Sequence, residues 1–381
     1  MSGLTRRQAL MVMNAVPGLG PMRISRLLDS FGGDTAAVLD ASLRRLVEVR
    51  DIGPETAAAI VGWRSHFDLG REEESLARMG ADFVLKGEPG YPARLSQTDG
   101  APHGLYIRGC VPDCPSVAIV GTRRATLYGR REARRFATEL ARAGVCIVSG
   151  LARGIDGEAH EGALEAGRTI AFLGCGLDVI YPAEHAALYD HICAQGAVLS
   201  EFSLGRQPDA QTFPQRNRLI SGAADAVLIV ESDVKGGSMI TARYAGEQGR
   251  SVFAIPGRID QSSSRGCHAL IRDGATLVTC AQDIIEELRA QFPRRGLSAS
   301  GTAEAPRQAE MDLAPALSDD ERRVLGALED GAVLHPDAVA RICVMEQPSV
   351  MAALMMLELK HLVARRPDAS YERQGQGRRR P

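Results

Sequence analysis

Seven apolar runs of strand length, at residues 117–120, 145–148, 169–173, 197–199, 226–230, 251–255 and 276–279, constrain this chain more than anything else in it. Helical patterns of roughly ten to fifteen residues separate most of them. Strands buried on both faces and joined by helices run parallel, with helices covering each side of the sheet. The stretch from about 110 to 290 therefore predicts an α/β domain, a Rossmann-like doubly wound parallel sheet. In such a sheet ligands bind outside the carboxyl ends of the strands, so the residues that follow each run carry the functional question.

At 381 residues the chain exceeds one ordinary core, and the flanks read as separate pieces. Residues 1–75 predict short helices. Two of their turns, Val16-Pro17-Gly18-Leu19-Gly20-Pro21 and Asp51-Ile52-Gly53-Pro54, are alike, as in a SAM-like or helix-hairpin-helix-like domain whose exposed backbone N–H groups can hold phosphate. Asp51 puts a negative charge where phosphate would approach. Residues 76–290 form the extended Rossmann-like domain, and 291–316, rich in small residues and proline, read as a linker. From 317 to 381 helical periodicity resumes, opened by a capping box of Ser318 and Glu321, and its size and order suit a winged helix with a basic tail of Arg365, Arg366, Arg373, Arg378, Arg379 and Arg380. Its reading helix offers Ser349, Met351, Met355, Met356 and Glu358, with no Arg, Asn or Gln for base edges, which favours docking of a partner over base recognition.

Composition excludes several classes. Net charge is −2, so bulk charge does not recruit DNA, although Gly121 to Arg135 holds six arginines against Glu132. The eight cysteines form no disulfide framework and no zinc-ligand spacing, so no metal and a reducing cytoplasm are expected. Thr5-Arg6-Arg7-Gln8 mimics a twin-arginine signal, but Asn14 ends the apolar run that follows. No apolar segment is long enough to span a membrane.

The strand exits are rich in glycine and cations. Gly121-Thr122-Arg123 follows the first run, Ser149-Gly150-Leu151-Ala152-Arg153 the second, Gly174-Cys175-Gly176 the third, and Glu231 with Lys235-Gly236-Gly237-Ser238 the fifth. After the fourth comes Phe213-Pro214-Gln215-Arg216-Asn217-Arg218, an aromatic ring and two guanidinium groups within six residues. Glycines let backbone approach phosphate, the arginines grip it, and the ring offers a base a stacking face. The plain alternative is a helix start whose Phe213 is core and whose Arg216 and Arg218 pair with carboxylates. No phosphate-loop or dinucleotide glycine pattern occurs, so a polymer of phosphates explains the rim better than a mononucleotide does. An enzyme acting on nucleotides or their glycosidic bonds is the competing reading, with Asp156, Glu158 or Glu231 as acid–base groups. Asp156 and His160 are better explained by a helix start, with Asp156 near its positive end and an i,i+4 pair to His160.

Val117 to Arg123, Val148 to His160, Phe213 to Gly222, Gly237 to Ala242 and Val252 to Gly257, in that order, resemble the DprA/Smf family of DNA-processing proteins of bacterial natural transformation. The resemblance implies a non-enzymatic protein without cofactor that binds incoming single-stranded DNA, protects it and loads a RecA-type recombinase. It implies a homodimer through the Rossmann-like domain. Carried onto matching positions, Gly121, Thr122 and Arg123 hold phosphate, Gly150 and Arg153 line the same pocket, and Phe213 stacks on a base. Arg216, Asn217 and Arg218 shape the groove and grip the strand, and Ser238 closes it from the facing turn, while Lys235 adds charge to the rim by its place after the fifth run. His185 and His268 stand where the family usually has asparagine. With about five cations on phosphates, the expected salt slope is roughly −3 to −4.

Overall fold

The computed structural model describes residues 3–291, 317–328, 332–360, 362–366 and 369–373. The linker read at 291–316 lies, beyond Gln291, outside the described residues, as do Arg378, Arg379 and Arg380. The chain divides into two units, Met1–Gly301 and Thr302–Pro381.

The first unit begins with six helices: α1 (Arg6–Ala15), α2 (Pro21–Ser30), α3 (Thr35–Leu39), α4 (Leu43–Val47), α5 (Pro54–Val61) and α6 (Leu69–Met79). Strand β1 (Ala81–Leu85), the short α7 (Ala93–Ser96) and β2 (Gly104–Gly109) lead into the alternation read from the apolar runs. It comprises β3 (Ser116–Val120), α8 (Leu127–Arg142), β4 (Cys146–Ser149), α9 (Ile155–Leu164), β5 (Thr169–Leu173), α10 (Ala186–Gln195) and β6 (Ala197–Ser200). It continues with α11 (Thr212–Ala223), β7 (Ala226–Ile229), α12 (Gly237–Glu247), β8 (Ser251–Ala254), α13 (Arg265–Arg272), β9 (Thr276–Leu277) and α14 (Ala281–Gln291).

The sheet order is β1-β2-β6-β5-β4-β3-β7-β8-β9. The pairs from β6 to β9 are parallel, and β1 and β2 add an antiparallel margin. The chain enters at β3, winds outward to β6, then returns to β7 beside β3, the reversal of direction that makes the sheet doubly wound.

Alternate side chains of each strand enter different cores. Val117, Ile119, Ile147, Leu228 and Phe253 pack with α8, α9 and α14. Ala118, Val120, Val148, Phe172, Leu199 and Ile229 pack on the other face with α11, α12 and α13. Each fully buried aliphatic chain contributes about 1.5–3 kcal/mol relative to exposure, which is why these short runs persist as strands. The N-terminal helices share a core with the sheet margin, where Met11, Met13 and Leu76 meet Phe83, Tyr106, Leu173 and Cys175. Two hydrogen bonds pin them to the loop after β6, Asn14 Nδ2 to the Glu201 carbonyl at 2.6 Å and Leu204 N–H to Glu72 Oε1 at 2.9 Å.

The second unit holds α15 (Asp319–Ala327), β10 (Val333–Leu334), α16 (Pro336–Cys343), α17 (Gln347–Leu359), β11 (Val363–Arg365) and β12 (Tyr371–Arg373). Its sheet order is β10-β12-β11, antiparallel, around a core of Val324, Val339, Leu354, Leu357 and Tyr371. The Ser318–Glu321 capping box forms as read. Met351, Met355, Met356 and Leu359 of α17 are exposed. Among the described residues no single helix is long and apolar enough to cross a membrane.

Candidate nucleic-acid interface

Helix α11 starts where Asp209 Oδ1 accepts the backbone N–H groups of Gln211 (2.7 Å) and Thr212 (2.9 Å), satisfying donors the first turn leaves free. Pro214 is tolerated because it lies in that first turn. Phe213 and Arg216, three apart, share one face of the helix. That face, with the exits of β3, β4 and β5, forms a cleft lined by Arg123, Gly150, Arg153, Gly174, Tyr181 and Phe213, with Arg216 and Cys175 beneath.

Arg216 is the centre of the cleft. It is only 3 % exposed, yet its Nε and Nη1 make no hydrogen bond among the described residues. Its nearest carboxylate, Asp156 Oδ2 at the start of α9, is 3.9 Å away. Burial pulls the guanidinium pKa down, with Asp156 opposing, and burial pulls the Asp156 carboxyl up, with Arg216 opposing. A buried cation with unused donors, opening on a cleft, is a seat for an anionic oxygen. Only glycine fits beside it, because a Cβ at Gly150 would lie 1.2 Å from Arg216 Nη1.

Above this seat the rings gather. The Arg123 guanidinium carbon sits 4.5 Å from the Phe213 ring centroid, and the Tyr181 ring lies 5.7 Å from it at 44°. Arg153, on the rim, donates from Nη2 to Glu184 Oε2 at 3.0 Å. Glu184 holds its charge below the usual carboxylate range through that bond, and Arg153 is correspondingly raised. Both side chains are exposed, so solvent and salt weaken the pair.

The turn after β4 is held from two sides. Leu151 adopts φ 54°, which a non-glycine residue rarely does. Its N–H donates to His160 Nε2 at 3.3 Å, and its carbonyl accepts from His185 Nδ1 at 3.0 Å. Because Nε2 accepts, the His160 proton is on Nδ1, which donates to Thr169 Oγ1 at 2.7 Å, and Thr169 donates to the Ile147 carbonyl at 2.8 Å. The neutral ring is fully satisfied, and burial depresses its pKa to about 3. The expected Asp156–His160 pair therefore does not form: Asp156 faces Arg216 and His160 faces the sheet.

The cleft thus brings together Arg123, Gly150, Arg153, Phe213 and Arg216 from the residues singled out in the sequence. Gly121 and Thr122 lie just behind it, with Thr122 N–H donating to the Glu231 carbonyl at 2.7 Å and Thr122 Oγ1 accepting from Arg124 N–H at 3.2 Å. Asn217 points to the neighbouring turn, its Nδ2 donating to the Gly237 carbonyl at 3.2 Å. Lys235 is exposed on that turn and does not line the cleft.

Two expectations need correction. Arg218 is two residues from Arg216 and so about 200° round the helix. There it donates to the Gly100 carbonyl at 2.8 Å and to both oxygens of buried Glu201, Oε1 at 2.6 Å, so it braces α11 instead of gripping a strand in the cleft. Ser238 is buried, with its hydroxyl donating to Ser232 Oγ at 2.7 Å, so it does not close the groove. Tyr181 is a cleft residue that the sequence does not single out, whereas Gly174 and Cys175 belong to the third strand exit already named. The signal available was the aromatic Tyr181 before Pro182, in the loop after a glycine-rich strand exit.

The acid–base candidates are dispersed. Glu158 Oε2 accepts from Arg134 Nε at 3.0 Å on α8, Glu231 Oε2 accepts from Thr126 N–H at 3.0 Å, and Asp156 faces Arg216. Among the described residues no group of three or more His, Cys, Asp or Glu side chains is placed to hold a metal ion. The arginines of α8 are also largely spent, Arg134 on Glu158 and Glu165 and Arg135 on Glu132 at 2.7 Å.

Residues 82–289 match the family DNA recombination-mediator protein A, and residues 307–369 match the DprA winged helix domain. Protein Smf of Synechocystis sp. is 32 % identical over 394 aligned residues, covering 94 % of this chain and 96 % of the relative. The X-ray structure of DNA processing protein A from Streptococcus pneumoniae, 34 % identical, superposes with a TM-score of 0.64 over 74 % of this chain and 98 % of its own. DNA processing protein A from Helicobacter pylori, solved for its unique single-stranded DNA binding mode, is 34 % identical with a TM-score of 0.51, covering 56 % and 98 % respectively.

Proposed function

The chain belongs to the DNA recombination-mediator protein A family, DprA/Smf, and from that premise we propose that it binds single-stranded DNA in the cleft over Arg216. A phosphate oxygen takes the unused donors of Arg216. A base displaces Arg123 from the Phe213 ring and stacks there, and Arg123 turns to the adjoining phosphate. Gly150 leaves the room beside it in which the Arg216 guanidinium sits. The observation that carries this reading is the buried guanidinium without hydrogen-bond partners beneath an aromatic ring. It is supported by the Helicobacter pylori relative, described for its single-stranded DNA binding.

We further infer that the protein acts without catalysis or cofactor, shielding incoming single strands in the cytoplasm and delivering them to a RecA-type recombinase during natural transformation. It works as a homodimer through the Rossmann-like domain, with the helical segment and winged helix in auxiliary roles. Titrating fluorescent oligo-dT and a duplex of equal length against the full chain tests the first step. Tight, length-dependent binding to oligo-dT is expected, and equal affinity for the duplex contradicts it. Sedimentation tests the dimer, and recombinase assembly on strands coated with single-strand-binding protein tests delivery.

A further inference from the structure

Two apolar side chains of the first unit stand almost wholly in water, Leu127 at 87 % and Ile259 at 89 % exposure. Scattered exposed apolar residues need no explanation, but these have neighbours of the same kind. Tyr128 is also exposed, and hydrogen bonds join the loops concerned. Tyr128 Oη donates to the Pro256 carbonyl at 3.2 Å, and Thr126 N–H donates to Glu231 at 3.0 Å. Gly266 N–H donates to the Ser232 carbonyl at 2.8 Å. The exits of β3, β7 and β8, which neighbour one another in the sheet, therefore make one rim with the start of α13. The Asn217–Gly237 bond connects that rim to the helix bearing Phe213 and Arg216, and Arg124 follows Arg123 directly.

The charge of the rim selects its occupant. Arg124, Lys235 and Arg265 are exposed and form no ion pair among the described residues, while Arg258 is paired with Asp260 at 2.8 Å. The remaining acids of these loops are exposed Asp233 and buried Glu231. Apolar surfaces set among unspent cations suit flat bases strung on phosphates. A second copy of the chain would bring the same cations against themselves.

We propose that this rim is a second segment of the single-strand path. Bases beyond the cleft lie against Leu127, Tyr128 and Ile259, and their phosphates face Arg124, Lys235 and Arg265. The proposal rests on the single-strand reading of the cleft and extends the strand past it.

The test is the affinity of the full chain for oligo-dT of about 6 and about 20 nucleotides, lengths within and beyond one single-strand site. Leu127→Ser with Ile259→Ser, both at exposed positions, should leave the short strand unaffected. Binding of the long one should weaken roughly five- to a hundredfold, through the apolar contact that two aliphatic side chains no longer make. Arg124→Gln with Lys235→Gln should flatten the long strand's salt slope by about 1.4. Unchanged long-strand affinity in both double variants overturns the proposal, as does a change of oligomeric state at unchanged long-strand affinity. Short-strand binding by the wild type keeps the cleft reading intact in those cases, whereas a wild type that binds neither length sinks both.

Discussion

Gly150→Ala is the sharpest probe of the cleft. The added Cβ would lie 1.2 Å from Arg216 Nη1 and 2.3 Å from Cζ, so the guanidinium must retreat by roughly 2 Å to reach ordinary contact. That movement withdraws it from the cleft and from Asp156, which is already at 3.9 Å. Stranding a buried carboxylate costs about 3–5 kcal/mol, and the long starting distance argues for the lower end. Losing a hydrogen bond from a charged donor costs about 1.5–3 kcal/mol in binding. In affinity that is about ten- to a hundred-and-fifty-fold. Urea melts and fluorescence anisotropy with oligo-dT read the two losses separately. Adding Asp156→Asn should return none of the affinity, because it removes the stranded carboxylate without restoring the donor. Gly246→Ala, where a Cβ meets nothing within 4 Å, should bind normally and gain about 0.5–1 kcal/mol of stability. A Gly150→Ala protein with wild-type affinity would refute the seat assigned to Arg216.

Other outcomes follow from the same geometry. Phe213→Ala should cost about 1–3 kcal/mol of binding to oligo-dT at unchanged salt slope, and a flattened slope would mean the ring matters only through Arg123. With Arg218 committed to Glu201 and Arg153 shared with Glu184, the cations left for phosphate in the cleft are Arg123 and Arg216. For a strand of about 6 nucleotides the slope of log affinity on log salt should then be about −1.4, and a steeper value would show that the paired arginines leave their carboxylates. Arg218→Met should destabilise by about 3–5 kcal/mol through unpaired Glu201, with Glu201→Gln relieving it. Affinity lost at full stability would return Arg218 to the strand. His160, depressed to about 3 in the folded chain, takes a proton in the unfolded chain first as pH falls below the ordinary 6.5. Stability is therefore full above that value and declines by about 2 kcal/mol from about pH 7 to about pH 5. The difference between urea melts of wild type and His160→Gln isolates this loss from Asp156 and Glu201, whose raised carboxyls act with opposite sign. No difference between the two pH profiles would count against a neutral buried imidazole.

The strands were legible because each run must satisfy two apolar layers, and nothing but a parallel, doubly covered sheet uses such runs in alternation with helices. The cleft was legible at its edges for a similar reason: glycine and arginine next to a strand end have few structural uses. What sequence leaves open is direction around a helix. Arg216 and Arg218 look interchangeable in Pro214-Gln215-Arg216-Asn217-Arg218, and their fates are decided by Asp156 and Glu201, which are distant in sequence and take opposite sides of α11. Ser238 likewise follows a glycine turn that promises an exposed hydroxyl, and Ser232 claims it. His160 was read against its helical neighbour, whereas its partner Thr169 lies on the next strand.

The core shared by the N-terminal helices and the sheet margin bears on how this protein can be dissected. Leu173 and Cys175 belong to that core on one side and line the cleft on the other. A chain cut just before β1 would lose the backing of the chamber in which Arg216 is kept dry. Its weakened grip on DNA would then record flooding from behind, and say little about whether the first helices ever touch the strand.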